Sequence, residues 1–319
     1  SETLYKEKRL VSMDGTLWVD KIRSEHDSAV KDQAEAVDKL GIPKQRNGDK
    51  YDAEQMSDEQ KAIVYNAVDT VTKFLNNDPS YKPMRATIMG SAGTGKSFII
   101  NTIISMVRKL TGSNDTVQIA APSGAAAFNV QGSTIHNLLG VRVTNPEKDL
   151  TENTKSRLLE QLERLLVLVI DERSMISSKV LAAAERNTRE CIYRGHNSLE
   201  IWGGLHVVLL FGDDYQLMPV DKNGAINGYD KRCCGAEQYV TDKMSEAQLF
   251  AYQGDWLFTD IMTDQVFFLT QNFRVRCKIF KRLLERVRVG SATEEDADKM
   301  MKLHHVFYRV DKEFKHKVE

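Results

Sequence analysis

Cysteine is scarce in this chain: four in 319 residues, at Cys191, Cys233, Cys234 and Cys277, and none in C-x-x-C spacing. That spacing excludes the usual zinc frameworks, and an adjacent pair makes a poor disulfide, so the thiols read as reduced and structural. Long apolar runs are missing as well. The longest, Leu165 to Ile170, falls far short of the roughly 20 residues that cross a bilayer. The first residues, SETLYKEKR, are polar and charged rather than signal-like. Together these predict an intracellular protein with no membrane partner. Nor does charge of one sign dominate: 44 Lys and Arg balance 45 Asp and Glu, for a net charge of -1 and a pI near 6.7. Global charge therefore gives no sign of a nucleic-acid partner, and any such site has to be a local groove of backbone donors and a few cations.

What is present is an ordinary globular composition, 41% hydrophobic and 28% charged. The length can bury a real core, as one large domain or two of ordinary size. The most informative stretch runs from Arg85 to Arg108, where a short apolar run, Ala86 to Met89, leads into GSAGTGKS and then FIINTIISMVR. This is the G-x-x-x-x-G-K-[ST] phosphate-binding pattern in the context that supports it, a loop between a strand and a helix. About one chain in a hundred of this length would carry the pattern by chance. Gly90, Gly93 and Gly95 permit a tight turn, and the loop with Ser91, Ala92 and Thr94 brings its N–H groups to an anion at the start of the helix opened by Lys96, Ser97 and Phe98. Lys96 reaches the β- and γ-phosphates of ATP, and the Ser97 hydroxyl ligates Mg²⁺.

Upstream, residues 1–56 are dense in Lys, Glu and Asp, with one helix-like piece from Ser24 to Leu40 closed by Gly41 and Pro43. They read as an N-terminal extension or accessory element, or a loosely ordered leader. Ser57 then opens a helix, with Gln60 in the capping-box position. Ile63, Val64, Ala67, Val68, Val71, Phe74 and Leu75 give that helix one apolar face. Gln60 is either a cap or a reader of an adenine edge; periodicity favours the cap. Beyond the phosphate loop, strands at Val117–Ala121, Leu165–Ile170, His206–Phe211 and Val266–Leu269 alternate with helices at Gly124–Val130, up to Arg164 and over Ser177–Ile192. Continuous apolar strands separated by helices predict an α/β fold, a parallel sheet covered by helices on both faces, with ligands at the C-terminal ends of the strands.

Three candidate groups fall at those ends. Asp171 and Glu172 follow Ile170; Asp171 can hold Mg²⁺ and Glu172 can orient the attacking water, although two acids also suit a helix N-terminus. Gln216, in Gly212-Asp213-Asp214-Tyr215-Gln216, can sense the γ-phosphate or simply belong to a polar turn. Arg274, in Gln271-Asn272-Phe273-Arg274, can neutralise transition-state charge, where an arginine after a strand is usually a surface residue.

Taken together, SDEQ ending at Gln60, GSAGTGKS, APSGAAAFNVQGSTIHNLLG from Ala121, VIDERSM from Val169, WGGLHVVLLFGDDYQLMPV from Trp202 and LTQNFR from Leu269 resemble the petite-integration-frequency family of DNA helicases, relatives of RecD-type enzymes in the B subgroup of helicase superfamily one. Several segments are also similar to the helicase domain of Helitron-type transposons. The resemblance covers roughly Ser57 to Leu303. It implies a RecA-like P-loop NTPase domain over residues 57–270, with a small wedge insert at 141–156, and the start of a second RecA-like domain over 271–319. It implies ATP and Mg²⁺ as cofactors, Gln60 at the adenine, and Lys96, Glu172, Gln216 and Arg274 as catalytic residues. For single-stranded or forked DNA it implies a track of Pro122, Ser123, Gly124, Phe128, Gly132, Ser133, Thr134 and His136. For Phe128 and His136 taken singly, core packing is the default expectation. Met218 and Arg173 depart from the family's usual proline and its usual methionine or leucine.

The activity implied is ATP-dependent, 5′ to 3′ helicase action by a protein that is monomeric without DNA, in the nucleus or mitochondrion of a eukaryote and otherwise in the cytoplasm, with roles in DNA repair, recombination and telomere maintenance. Nothing from Gly290 onward resembles the remaining motifs of a second motor domain. The chain by itself is therefore expected to bind Mg-ATP weakly, hydrolyse it poorly and unwind nothing. The alternative is a nucleotide-gated nucleic-acid-binding or scaffold protein with vestigial hydrolysis.

Overall fold

The structure is a computed structural model describing residues 55–192, 200–219, 245–275 and 277–302. The expected helix at Ser24–Leu40 lies outside them. The chain divides into two compact units between Asn272 and Phe273.

In the first unit, helix α1 (Asp58–Leu75) begins at a complete capping box. The Ser57 hydroxyl accepts from the Gln60 N–H, and the Gln60 side chain accepts from the Ser57 N–H. Its face of Ile63, Val64, Ala67 and Val71 is buried. Strand β1 (Met84–Gly90) follows, then α2 (Lys96–Thr111), entered through left-handed Gly95 and left through left-handed Gly112. The order continues β2 (Val117–Ala121), α3 (Gly124–Asn129), β3 (Ser133–Thr134), α4 (Ile135–Leu138), α5 (Glu152–Leu162) and β4 (Val167–Ile170). After these come α6 (Ser178–Cys191), β5 (Val207–Gly212), α7 (Glu246–Trp256), a π-helical turn (Leu257–Met262) and β6 (Gln265–Leu269). Neither the two-residue β3 nor α7 with its π turn carries a strong period, and neither was expected from the sequence. Residues 141–151, in the expected insert, lie against α6, where Arg186 donates to the carbonyls of Pro146, Glu147 and Lys148; α5 begins at Glu152.

The strands form one six-stranded sheet in the order β3-β2-β4-β5-β1-β6, every pairing parallel. Alternate residues divide it into two faces. Leu168, Ile170, Val208 and Leu210 join Leu138, Leu158, Leu181 and Phe250 in one core, under α4 to α7. Val167, Val169, Leu209 and Phe211 join Ile63, Val71, Ile99 and Ile103 in the other, under α1 and α2. Both faces are covered, which is why the central strands are apolar throughout. This is the RecA-like α/β P-loop arrangement, and it delivers the ends of β1, β4, β5 and β6 to the same edge of the sheet.

The second unit contains α8 (Lys278–Arg288) and a further helical stretch over 294–302. The turn between them is fixed by Arg286, whose Nε donates to Asp296 at 2.6 Å. That guanidinium, with the Thr293 N–H, holds the Asp296 carboxyl well below the usual range.

Candidate nucleotide site

The loop from Gly90 to Gly95 is held by hydrogen bonds to its carbonyls. Lys96 Nζ donates to the Gly90 carbonyl at 2.7 Å and to the Ser91 carbonyl at 3.4 Å. Within the loop, Thr94 Oγ1 donates to the Ser91 carbonyl at 2.8 Å. From outside it, Gln60 Nε2 donates to the Thr94 carbonyl at 3.0 Å and Asn272 Nδ2 to the Ala92 carbonyl at 2.8 Å. Fixing the carbonyls fixes the peptide planes, and with them the direction of the N–H groups that a phosphate needs. Gly93 and Gly95 sit at φ 89 and 88°, where a side chain is strained. Gly90 is required for space instead: a Cβ there would lie 2.5 Å from Thr94 Oγ1 and 2.9 Å from Leu269 Cβ. Ser97 is exposed on the first turn of α2, and Phe98 packs partly into the core beneath it.

Gln60 is buried and does two things at once. Its Oε1 closes the capping box while its NH₂ holds the phosphate loop, so the cap expected from periodicity is present and is only half of what the side chain does. Glu59, its neighbour, accepts from the Thr270 N–H at 2.8 Å and so ties α1 to the end of β6.

At the end of β4, the Asp171 N–H extends the ladder to the Ala120 carbonyl, and its carboxyl is buried. Burial pushes that carboxyl up to about 6, helped by the Glu172 charge and opposed by a hydrogen bond from the Glu172 backbone and by the Lys96 ammonium. Its Oδ1 has no hydrogen-bond partner among the described residues. A buried carboxylate oxygen without a donor and a serine hydroxyl are hard oxygen ligands of the kind Mg²⁺ takes. Glu172 stands at φ 50°, ψ 47°, in the left-handed region, a conformation costing a non-glycine residue about 1 kcal/mol or more. No α-helix starts at these acids. Glu172 is instead the N-cap residue of a 3₁₀ turn, Arg173–Met175, without a side-chain cap hydrogen bond, and α6 begins later behind its own Ser177 cap.

Beyond β5, Gln216 donates from Nε2 to Asp213 Oδ2 at 3.1 Å, and its N–H donates to the Asp213 carbonyl at 3.0 Å. Arg274 belongs to the second unit, two residues past Asn272. Sequence reasoning passed over Asn272, Arg173 and Asp214 as site residues. Arg173 is fully buried and paired with Asp214, and its guanidinium lies 4.8 Å from the Phe258 ring centroid.

The segment after β2 lies at the same edge of the sheet. Ser123 and Thr134 cap α3 and α4, each hydroxyl oxygen accepting from an N–H three residues on; an accepting hydroxyl still has its own hydrogen to donate. Pro122 and Ser133 are half-buried and Gly124 is open, with nothing near its Cβ direction. Gly132 has a packing reason of its own, since a Cβ there would sit 2.6 Å from the Ile119 carbonyl. Phe128 is 83% exposed, which corrects the default expectation that it packs in the core. His136 is half-buried, with Nδ1 3.0 Å from the Val141 carbonyl.

The model of the PIF1-like helicase family matches residues 55–298. The ATP-dependent DNA helicase RRM3 of Saccharomyces cerevisiae is 38% identical over 141 residues, 43% of this chain and 19% of that protein. The ATP-dependent DNA helicase Pif1 of Bdellovibrio bacteriovorus is 30% identical over 214 residues, 65% of this chain and 40% of that one. Among solved structures, Pif1 helicase from Candida albicans aligns with a TM-score of 0.53 at 24% identity, covering 76% of this chain and 46% of that chain. This chain thus spans less than half the length of these relatives.

Proposed function

Because the chain belongs to the PIF1-like helicase family, we propose that it carries the ATP-binding motor unit of a DNA helicase, one that couples Mg-ATP hydrolysis to 5′ to 3′ movement on single-stranded DNA and to strand separation at forks. The observation that carries this reading is the parallel sheet order, which brings to one edge a braced phosphate loop at the end of β1 and, at the end of β4, a buried carboxyl with one oxygen lacking a donor among the described residues, although Lys96 and Asp171 lie 75 positions apart in sequence.

In this reading the triphosphate lies on the N–H groups of residues 90–97, with Lys96 exchanging its carbonyl partners for phosphate oxygens. Ser97 and Asp171 would hold Mg²⁺, which would supply positive charge to offset that of the phosphates. Glu172 orients the attacking water and Gln216 leaves Asp213 for the γ-phosphate. Gln60 presents to the adenine from a position already fixed against the loop. Arg274 supplies charge to the transition state. The small residues Pro122, Gly124 and Gly132, the hydroxyl-bearing Ser123, Ser133 and Thr134, and His136 follow the DNA backbone, and Phe128 offers its exposed ring to a base. Repair, recombination and telomere maintenance, in nucleus or mitochondrion, are the settings this activity suits.

The test is ATP hydrolysis with and without single-stranded DNA, in the unaltered protein and in Glu172→Gln. Turnover that is low in this chain but rises with DNA and is lost in Glu172→Gln, with nucleotide still bound, is the expected result. DNA binding that responds to nucleotide, with no DNA-stimulated turnover, would favour the scaffold alternative and overturn the motor reading.

A further inference from the structure

The ion pair between Arg173 and Asp214 joins two loops that the proposed chemistry uses separately. Arg173 directly follows Glu172 at the end of β4, while Asp214 stands two residues before Gln216 in the turn after β5. The guanidinium is entirely buried and the Asp214 side chain is only 8% exposed. Among the described residues, Arg173 Nε and Nη1 have no hydrogen-bond partner, so the directional contact of this cation runs through Nη2 to Asp214 Oδ1. Gly212 lets the two loops approach: a Cβ there would meet Arg173 Cβ at 3.0 Å and the Arg173 nitrogen at 3.2 Å.

The turn that Asp214 anchors is itself closed. Asp213 Oδ1 accepts from the Tyr215 N–H at 3.2 Å, its Oδ2 from the Gln216 amide at 3.1 Å, and its carbonyl from the Gln216 N–H at 3.0 Å. A turn braced in this way shifts as a unit with its anchor. A buried ion pair is a weak source of stability, because desolvation consumes much of its attraction, whereas its directionality can fix a geometry. Apolar side chains would fill the same space without that directional bond.

We propose that Arg173 and Asp214 are positioning residues, a latch that holds the turn bearing Gln216 in register with the acidic edge at Asp171 and Glu172 and thereby sets how well the site tells a triphosphate from a diphosphate. This rests on the nucleotide site proposed above. The latch touches neither nucleotide nor metal and acts through Gln216.

The experiment measures binding of fluorescent ATP and ADP analogues, with Mg²⁺, to the whole chain. In Arg173→Met/Asp214→Leu, which removes both charges together, ADP affinity should stay within twofold while preference for the triphosphate falls about fivefold, as for the loss of one ordinary hydrogen bond. Gln216→Ala should lose the same preference, and adding the latch substitutions to it should change nothing more, because one pathway cannot be cut twice. Asp214→Asn, which keeps the shape and a hydrogen-bond acceptor, serves as a second arm if the double variant does not fold, and should show a smaller loss in the same direction. An unchanged preference, an equal loss of both nucleotides, or losses additive with Gln216→Ala would each overturn the latch alone. Failure of the unaltered chain to bind either nucleotide would instead remove the nucleotide site, and the latch with it.

Discussion

Replacing Lys96 by alanine separates a braced loop from a working phosphate site. Lys96 Nζ donates to the carbonyls of Gly90 and Ser91, two bonds from an ammonium with three N–H donors, so a bound phosphate competes with those carbonyls for it. A hydrogen bond to a charged group contributes about 1.5 to 3 kcal/mol, or roughly 10- to 150-fold in affinity. Exchange against a carbonyl at 2.7 Å draws the expectation toward the lower end, about tenfold. Stability should hardly change, because the lysine is only half-buried and Gln60, Thr94 and Asn272 still tie the rest of the loop. The assay is titration of a fluorescent ATP analogue with Mg²⁺, beside thermal melts of the same samples. Affinity within twofold of the unaltered protein, with matching melts, would refute the placement of the phosphates. A large drop in melting temperature would show that Lys96 supports the fold more than the ligand.

Two further outcomes follow from burial. Asp171 titrates at about 6 in the folded protein against the ordinary 3.8, so the native state holds this proton more tightly than the unfolded chain does. Its contribution to stability is then present below pH 3.8 and is lost as pH rises to about 6; it amounts to something on the order of 3 kcal/mol. Denaturant melts across that window should show the dependence, and Asp171→Asn should flatten it. Because Mg²⁺ needs the carboxylate, Mg²⁺-dependent nucleotide binding should weaken as pH falls through about 6, while any binding that persists in EDTA should not. Phe128, 83% exposed, should be replaceable by alanine with a stability change within about 0.5 kcal/mol. The same change should weaken single-stranded DNA binding about 5- to 150-fold if the ring stacks on a base; unaltered DNA affinity would count against the stacking role.

The sequence alone determined the elements and the loop chemistry of this protein. Strands β2, β4, β5 and β6 and helices α1, α2, α3 and α6 were legible within a few residues, because apolar period and capping residues are local signals. The phosphate loop was legible because its glycines answer to local backbone and steric demands. Tertiary structure decided what crosses between elements. Gln60 and Thr94 are 34 residues apart, Arg173 and Asp214 are 41 apart, and Asn272 and Ala92 are 180 apart. No period or spacing encodes such pairs, since each depends on which elements the fold brings together. The same holds for burial: Phe128 looks apolar enough for a core and stands in solvent, while Arg173 looks like a surface residue and lies fully inside. A side chain's polarity sets what it prefers, and only the packing around it decides what it meets.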